Sequence, residues 1–281
     1  MGRDVFSMAV FSQQGLYPHK MEALEQAKSS AEMAYPWLFI EGEGLGIGTS
    51  FFLKYLYSTM TQQGYQGLYV ESAPRVESSY PISVKMTKLF NTKADLKQKT
   101  AFHQAIELLR LYNFSPLYIF CDLSSADSAS FRKLITEAQF LWRHSSKNHL
   151  RFIFAKNQPF AHEHGEDFLQ NLAGESLWQV IKIPQPSIDD VGQHISHFFQ
   201  WQNKEKKSQS DQLNHEFNQS FYHWIFERLG GNFNHISEVC SYVIKVARDS
   251  GQEIDSFFAQ KQAQEYLQQN RGSTGASFSA A

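Results

Sequence analysis

Hydrophobic positions follow two regimes along the chain. In the first, short apolar runs rich in aromatic and β-branched residues recur at 37–40, 68–70, 117–121, 152–154 and 180–183. Runs of this kind, apolar on both faces, predict buried strands. The intervening segments 21–33, 51–63, 100–112 and 128–142 are long enough and patterned for helices. Strands alternating with helices imply right-handed crossovers and a parallel sheet, so residues 1–185 are expected to form a three-layer α/β domain.

The strand pattern stops at Pro184 and Pro186. The remainder of the chain reads as helices at 187–201, 214–229, 233–249 and 255–269, with Ser187 ahead of Asp189 and Asp190 as a start signal. The expectation is a helical lid over 186–252, a C-terminal helix over 253–271 and a disordered small-residue tail over 272–281. The polar stretch 204–212 reads as a loop.

Composition narrows the function classes. With 42% hydrophobic, 15% aromatic and 19% charged residues among 281, the signature of intrinsic disorder is absent. Lys and Arg number 26 against 28 Asp and Glu, which leaves no whole-chain electrostatic reason to expect nucleic acid. Cys121 and Cys240 lie in hydrophobic surroundings and read as reduced core thiols of a cytoplasmic protein. No run approaches the roughly 18 apolar residues of a membrane span, and the first twenty residues lack the order of a signal peptide. Phe6 stands where N-myristoylation wants Ser or Thr.

One segment carries chemistry. After the first expected strand comes Glu41-Gly42-Glu43-Gly44-Leu45-Gly46-Ile47-Gly48-Thr49-Ser50, then a helix. Strand, glycine-rich loop and helix form the setting in which amides and a helix N-terminus cradle phosphate; a tight turn that packs the helix on the sheet is the other reading. Against G-x-x-x-x-G-K-[ST], Thr49 takes the lysine position and Glu43 the first glycine position. The lost ammonium is worth roughly 1.5–3 kcal/mol of phosphate contact, and a carboxylate at position 43 repels a polyanion. Asp122 ends the third strand, where a P-loop NTPase holds magnesium together with a loop hydroxyl such as Ser50, although a strand-end acid can also simply cap the next turn. Leu123 follows it and cannot take a proton.

In the order and spacing of these features the chain resembles the ExeA-type branch of AAA+ ATPases, which includes MshM and DamX-like proteins and, more remotely, the regulator TnsC. The similarity runs from about Leu16 to Ile254. It takes in Met21-Glu22-Ala23-Leu24, the glycine loop, Asp122, Asn157-Gln158-Pro159 at the sensor-one turn, and Ile183-Pro184-Gln185-Pro186-Ser187-Ile188-Asp189-Asp190 ahead of the lid. It closes on Gly230-Gly231-Asn232-Phe233-Asn234-His235-Ile236. The resemblance implies a P-loop core with a helical lid. It also implies degenerate nucleotide positions at Glu43, Gly44, Gly46, Gly48, Thr49 and Ser50, magnesium positions at Ser50 and Asp122, and sensor positions at Asn157 and Asn234, the last in place of arginine. Leu177-Trp178-Gln179-Val180-Ile181 stands where the family carries further arginines. Loss of lysine, catalytic glutamate and arginines beside intact architecture points to a pseudo-ATPase with no catalytic residues and no required cofactor. Such a protein would act through a protein partner, either a related AAA+ ATPase or an envelope-assembly component, in the cytoplasm or at the inner membrane through that partner. Retained ATP or ADP with magnesium, and a TnsC-like association with DNA, are the alternatives.

Other clusters read as structure. His162, Glu163, His164, Glu166 and Asp167 lack the spacing of a metal site. His194 and His197 share a helix face and read as packing residues, Arg132, Lys133, Arg143 and Lys147 as a solvated face, and Phe217, Phe221, Tyr222, Trp224, Phe226 and Phe233 as mostly core.

Overall fold

The computed structural model describes residues 20–33, 35–44, 46–71, 80–89, 98–111, 116–124, 126–145, 150–158, 170, 177–204 and 215–270. They divide between two compact units, one within Pro18–Pro184 and one within Gln185–Ala281.

The first unit runs α1 (Met21–Glu32), β1 (Trp37–Gly42), α2 (Thr49–Gln62), β2 (Gly67–Glu71), α3 (Pro81–Leu89), α4 (Gln98–Leu111), β3 (Leu117–Asp122), α5 (Ser128–His144), β4 (Leu150–Lys156) and β5 (Trp178–Ile183). Its five strands are all parallel, in the order β2-β3-β4-β1-β5. The chain leaves β1 for β2 at the far edge, so β3 and β4 later insert between them, and the C-terminal ends of β1 and β3 come to flank that of β4. Ligand sites of open α/β sheets lie at such ends. Strands β1, β3 and β4 are buried along their whole length, as their largely apolar runs lead one to expect, and the charged Glu41, Arg151 and Lys156 within them are buried too. Trp37 stacks on Phe152 at 5.0 Å and Phe39 on Phe154 at 5.7 Å, which locks β1 to β4 in register.

Helix α3 lies in a segment with no expected element. Proline at its first turn is compatible with the helix because the missing amide would have been unbonded there. The carboxylate of Glu137, on α5, accepts from the amides of Ile82 and Ser83 at 3.0 and 2.8 Å and from the Ser83 hydroxyl at 2.6 Å. Burial nonetheless pushes the Glu137 pKa up to about 7, against the lowering effect of those bonds.

The second unit contains α6 (Ile188–Lys204), β6 (His215–Glu216), α7 (Gln219–Leu229), α8 (Phe233–Ser250), β7 (Ile254–Asp255) and α9 (Ser256–Gln269). A helix expected from residue 214 instead begins at Gln219, because Asn218 caps it by accepting from the Phe221 amide at 3.0 Å and because 215–216 pair with 254–255. Asn232 and Asp255 cap α8 and α9 in the same way. Phe221 and Phe233 are buried, and Phe217, Tyr222, Trp224 and Phe226 are half-buried. Both cysteines are buried free thiols; burial pushes Cys240 up to about 12 and Cys121 well above the usual thiol range. No helix among the described residues is long and apolar enough to cross a membrane. The 272–281 tail and residues 205–212 of the polar loop lie outside the described residues.

Candidate functional site: the glycine loop and the end of strand β3

Between β1 and α2 the backbone enters the left-handed region at Gly46 (φ 75°) and Gly48 (φ 88°), where a side chain would cost roughly 1–2 kcal/mol. Gly48 is the N-cap of α2 and has no side chain with which to cap it. The α2 N-terminus therefore differs from those of α5, α7, α8 and α9, whose first turns are each bonded to an Asp or Asn side chain. Glu43 is exposed, and its amide donates to the Ile183 carbonyl at 3.3 Å, which extends the β1–β5 ladder and takes that amide away from the loop. Gly44, Gly46 and Gly48 are half-buried. Thr49 is 1% exposed, and its Oγ1 has no hydrogen-bond partner; it lies 2.5 Å from where a Cβ on Gly42 would stand.

A cation does reach this loop, from elsewhere in the sequence. Lys20, the residue ahead of α1, is 1% exposed and donates its ammonium to the Ile47 carbonyl at 2.5 Å. A Cβ on Gly48 would sit 2.7 Å from its Nζ. Glycine at position 48 is thus required twice, by the backbone angle and by this approach. Sequence reasoning missed Lys20: a single lysine at a helix start, 27 residues from its partner, carries no pattern.

At the end of β3, Asp122 is 4% exposed and meets three donors. Ser50 Oγ donates to Oδ1 at 3.2 Å, the Ser124 amide to Oδ1 at 3.0 Å, and the Tyr69 hydroxyl to Oδ2 at 3.0 Å. Asp122 thus caps the following turn and also accepts from the hydroxyl of Ser50. Burial, and then the Asp122 charge, hold the Tyr69 pKa far above its ordinary value, so the phenol stays a donor. Tyr69 was hidden in an apolar strand run. Leu123 is 1% exposed within the hydrophobic core, and its amide donates to the Ala155 carbonyl at 2.8 Å. Asn157 is half-buried and donates to the Ser124 carbonyl at 3.3 Å, while Asn234 is exposed in the first turn of α8.

The remaining candidates separate cleanly. His194 is buried, bonded to Ser237 Oγ at 2.8 Å and stacked on Phe233, and burial lowers the pKa of His197. Arg132, Lys133 and Arg143 are exposed on α5. Lys147 and the cluster at 162–167 lie outside the described residues. Among the described residues no group of three His, Cys, Asp or Glu is placed to hold a metal ion.

No protein-family model matches the chain, and no curated protein does. Solved structures do match. The Orc1 protein of Aeropyrum pernix, in complex with DNA, superposes with a TM-score of 0.59 at 12% identity, over 93% of this chain and 69% of that one. Drosophila ORC bound to DNA gives 0.60 at 9% identity, over 98% and 68%. Domain III of the Thermotoga maritima replication initiation protein DnaA gives 0.53 at 15% identity, over 90% and 94%. The chain has the fold of the AAA+ ATPases.

That fold implies a nucleotide with magnesium, and the residues present fit it in part. For phosphate, the glycine loop offers two left-handed glycines and a helix start without a side-chain cap, and Lys20 brings an ammonium to it. Ser50 and Asp122 meet at the end of β3, where a cation would be held, but Asp122 already accepts from three protein donors. The residue after Asp122, Leu123, is an apolar side chain in the core.

Proposed function

We propose that this chain is a catalytically inactive AAA+-like protein that acts as a scaffold or regulatory subunit through protein contacts. The observation that supports it best is Leu123: the position following the strand-end aspartate has been absorbed into the hydrophobic core, so no carboxylate can stand there to activate water. Absence of a positioned base removes on the order of 10²–10⁴ in rate. Asn234 in place of a sensor arginine points the same way. The ordered likeness to the ExeA-type branch supports a related AAA+ ATPase or an envelope-assembly component as partner. Steady-state phosphate release with ATP and magnesium tests the reading. The expected rate is indistinguishable from that of Asp122→Asn, and turnover abolished by that substitution would overturn it.

A DNA-associated role is the second reading, favoured by the two structural neighbours solved with DNA. It requires retention on duplex DNA that falls steeply with salt, and the balance of 26 basic against 28 acidic residues weighs against it.

A further inference from the structure

We propose that Lys20 is the phosphate-binding cation of the glycine loop, delivered from the residue ahead of α1 in place of the lysine absent at Thr49, and that the loop binds the polyphosphate chain of a nucleotide. This goes beyond the scaffold reading and does not depend on it.

Electrostatics carry the argument. A helix N-terminus presents roughly half a positive charge, through amides that lack partners within the helix. Lys20 adds a full ammonium beside that terminus, at the Ile47 carbonyl and against Gly48, in a position only 1% exposed. Two positive centres brought together out of water are costly, and an anion received between them reverses the sign of the interaction. A second observation points to a ligand. The Thr49 hydroxyl opens the same helix, is buried, and lacks any hydrogen-bond partner, as few buried polar atoms do. The glycines complete the cradle. Residues 46 and 48 are left-handed, a conformation found in anion-binding nests, and side chains at 42 and 48 would collide with Thr49 and Lys20. Lys20 is fixed by its bond to Ile47, so little side-chain freedom remains to be lost when phosphate arrives.

The test uses the full chain without divalent ions, titrated with sodium tripolyphosphate, ATP and inorganic phosphate, with melting temperature as readout. Tripolyphosphate and ATP are expected to raise it, since a ligand bound only by the folded state stabilises that state. Lys20→Met keeps the aliphatic stem and removes the charge, and should weaken tripolyphosphate at least about tenfold, while Lys20→Arg stays within about threefold. Wild-type protein unmoved by millimolar tripolyphosphate and ATP, or Lys20→Met binding as tightly as wild type, would overturn the proposal. If Lys20→Met does not fold, the wild type answers alone, using ATP acylated on its terminal phosphate. The amine contacting the phosphates attacks the acyl carbon, forms an amide and releases ATP. Mass spectrometry should find the acyl group on Lys20, and its transfer to another lysine instead would refute the assignment. Magnesium-dependent turnover, measured separately, would sink the inactive reading while leaving Lys20 in place.

Discussion

The Tyr69 hydroxyl donates to Asp122 Oδ2 at 3.0 Å, reaching diagonally across β2 and β3 from a position two residues before Glu71, the register partner of Asp122. The phenol occupies an oxygen that a strand-end aspartate would otherwise offer to a ligand. Tyr69→Phe deletes one hydrogen bond to a buried carboxylate and should cost about 1.5–3 kcal/mol in urea unfolding. A loss within about 0.3 kcal/mol would mean that water replaces the phenol at no cost.

Leu123→Glu rebuilds the residue pair that an active site of this fold would carry, but at a position inside the core. The outcome expected is destabilisation on the order of 3–5 kcal/mol, from lost packing and an unpaired buried carboxylate, with no gain in ATP turnover. Chemical denaturation and a phosphate-release assay on the same preparation check both halves.

Gly48 and Gly64 both have φ near +90°, yet only Gly48 has a neighbour where a Cβ would go. Gly64→Ala should therefore cost only backbone strain, about 1 kcal/mol, and Gly48→Ala should cost clearly more because Lys20 must also move. Equal melting temperatures for the two variants would show that Lys20 does not press on Gly48 in solution.

Glu137 has a folded-state pKa of about 7, against 4.5 unfolded. Because the folded form then holds the proton more tightly, this group's contribution to stability is greatest below pH 4.5 and is lost as pH rises toward 7, by at most about 3 kcal/mol. Glu137→Gln should flatten that slope in unfolding curves taken from about pH 4.5 to 7.5, and an unchanged slope would assign the dependence to other groups.

The legible parts of the fold were those written as contiguous runs. All five strands of the sheet were visible as short apolar runs, but the reason differs: β1, β3 and β4 are buried throughout, as in Trp37 to Ile40, whereas β2 and β5, also expected to be buried, lie at the sheet edges with half-buried and exposed positions. Helix α3 escaped because it is short, starts on proline, and depends on Glu137, 54 residues from Ser83, to hold its first turn. At the site, the glycines, Ser50 and Asp122 stood out by local spacing. Lys20 and Tyr69 did not: each gains its role only when the sheet brings distant segments together, and each looks ordinary among its sequence neighbours. Leu123 was legible as a missing acid, but its place in the core became visible only in three dimensions.

In the second unit, the two-rung parallel ladder between His215–Glu216 and Ile254–Asp255 joins segments far apart in the chain, and the bond from the Asn218 amide to Ser256 Oγ at 2.9 Å continues it. The clasp fastens the start of α7 to the start of α9, with α8 enclosed in the loop between them. Release of the near end of α9 must therefore unfasten the start of α7 as well, so the two helix starts part in a single event.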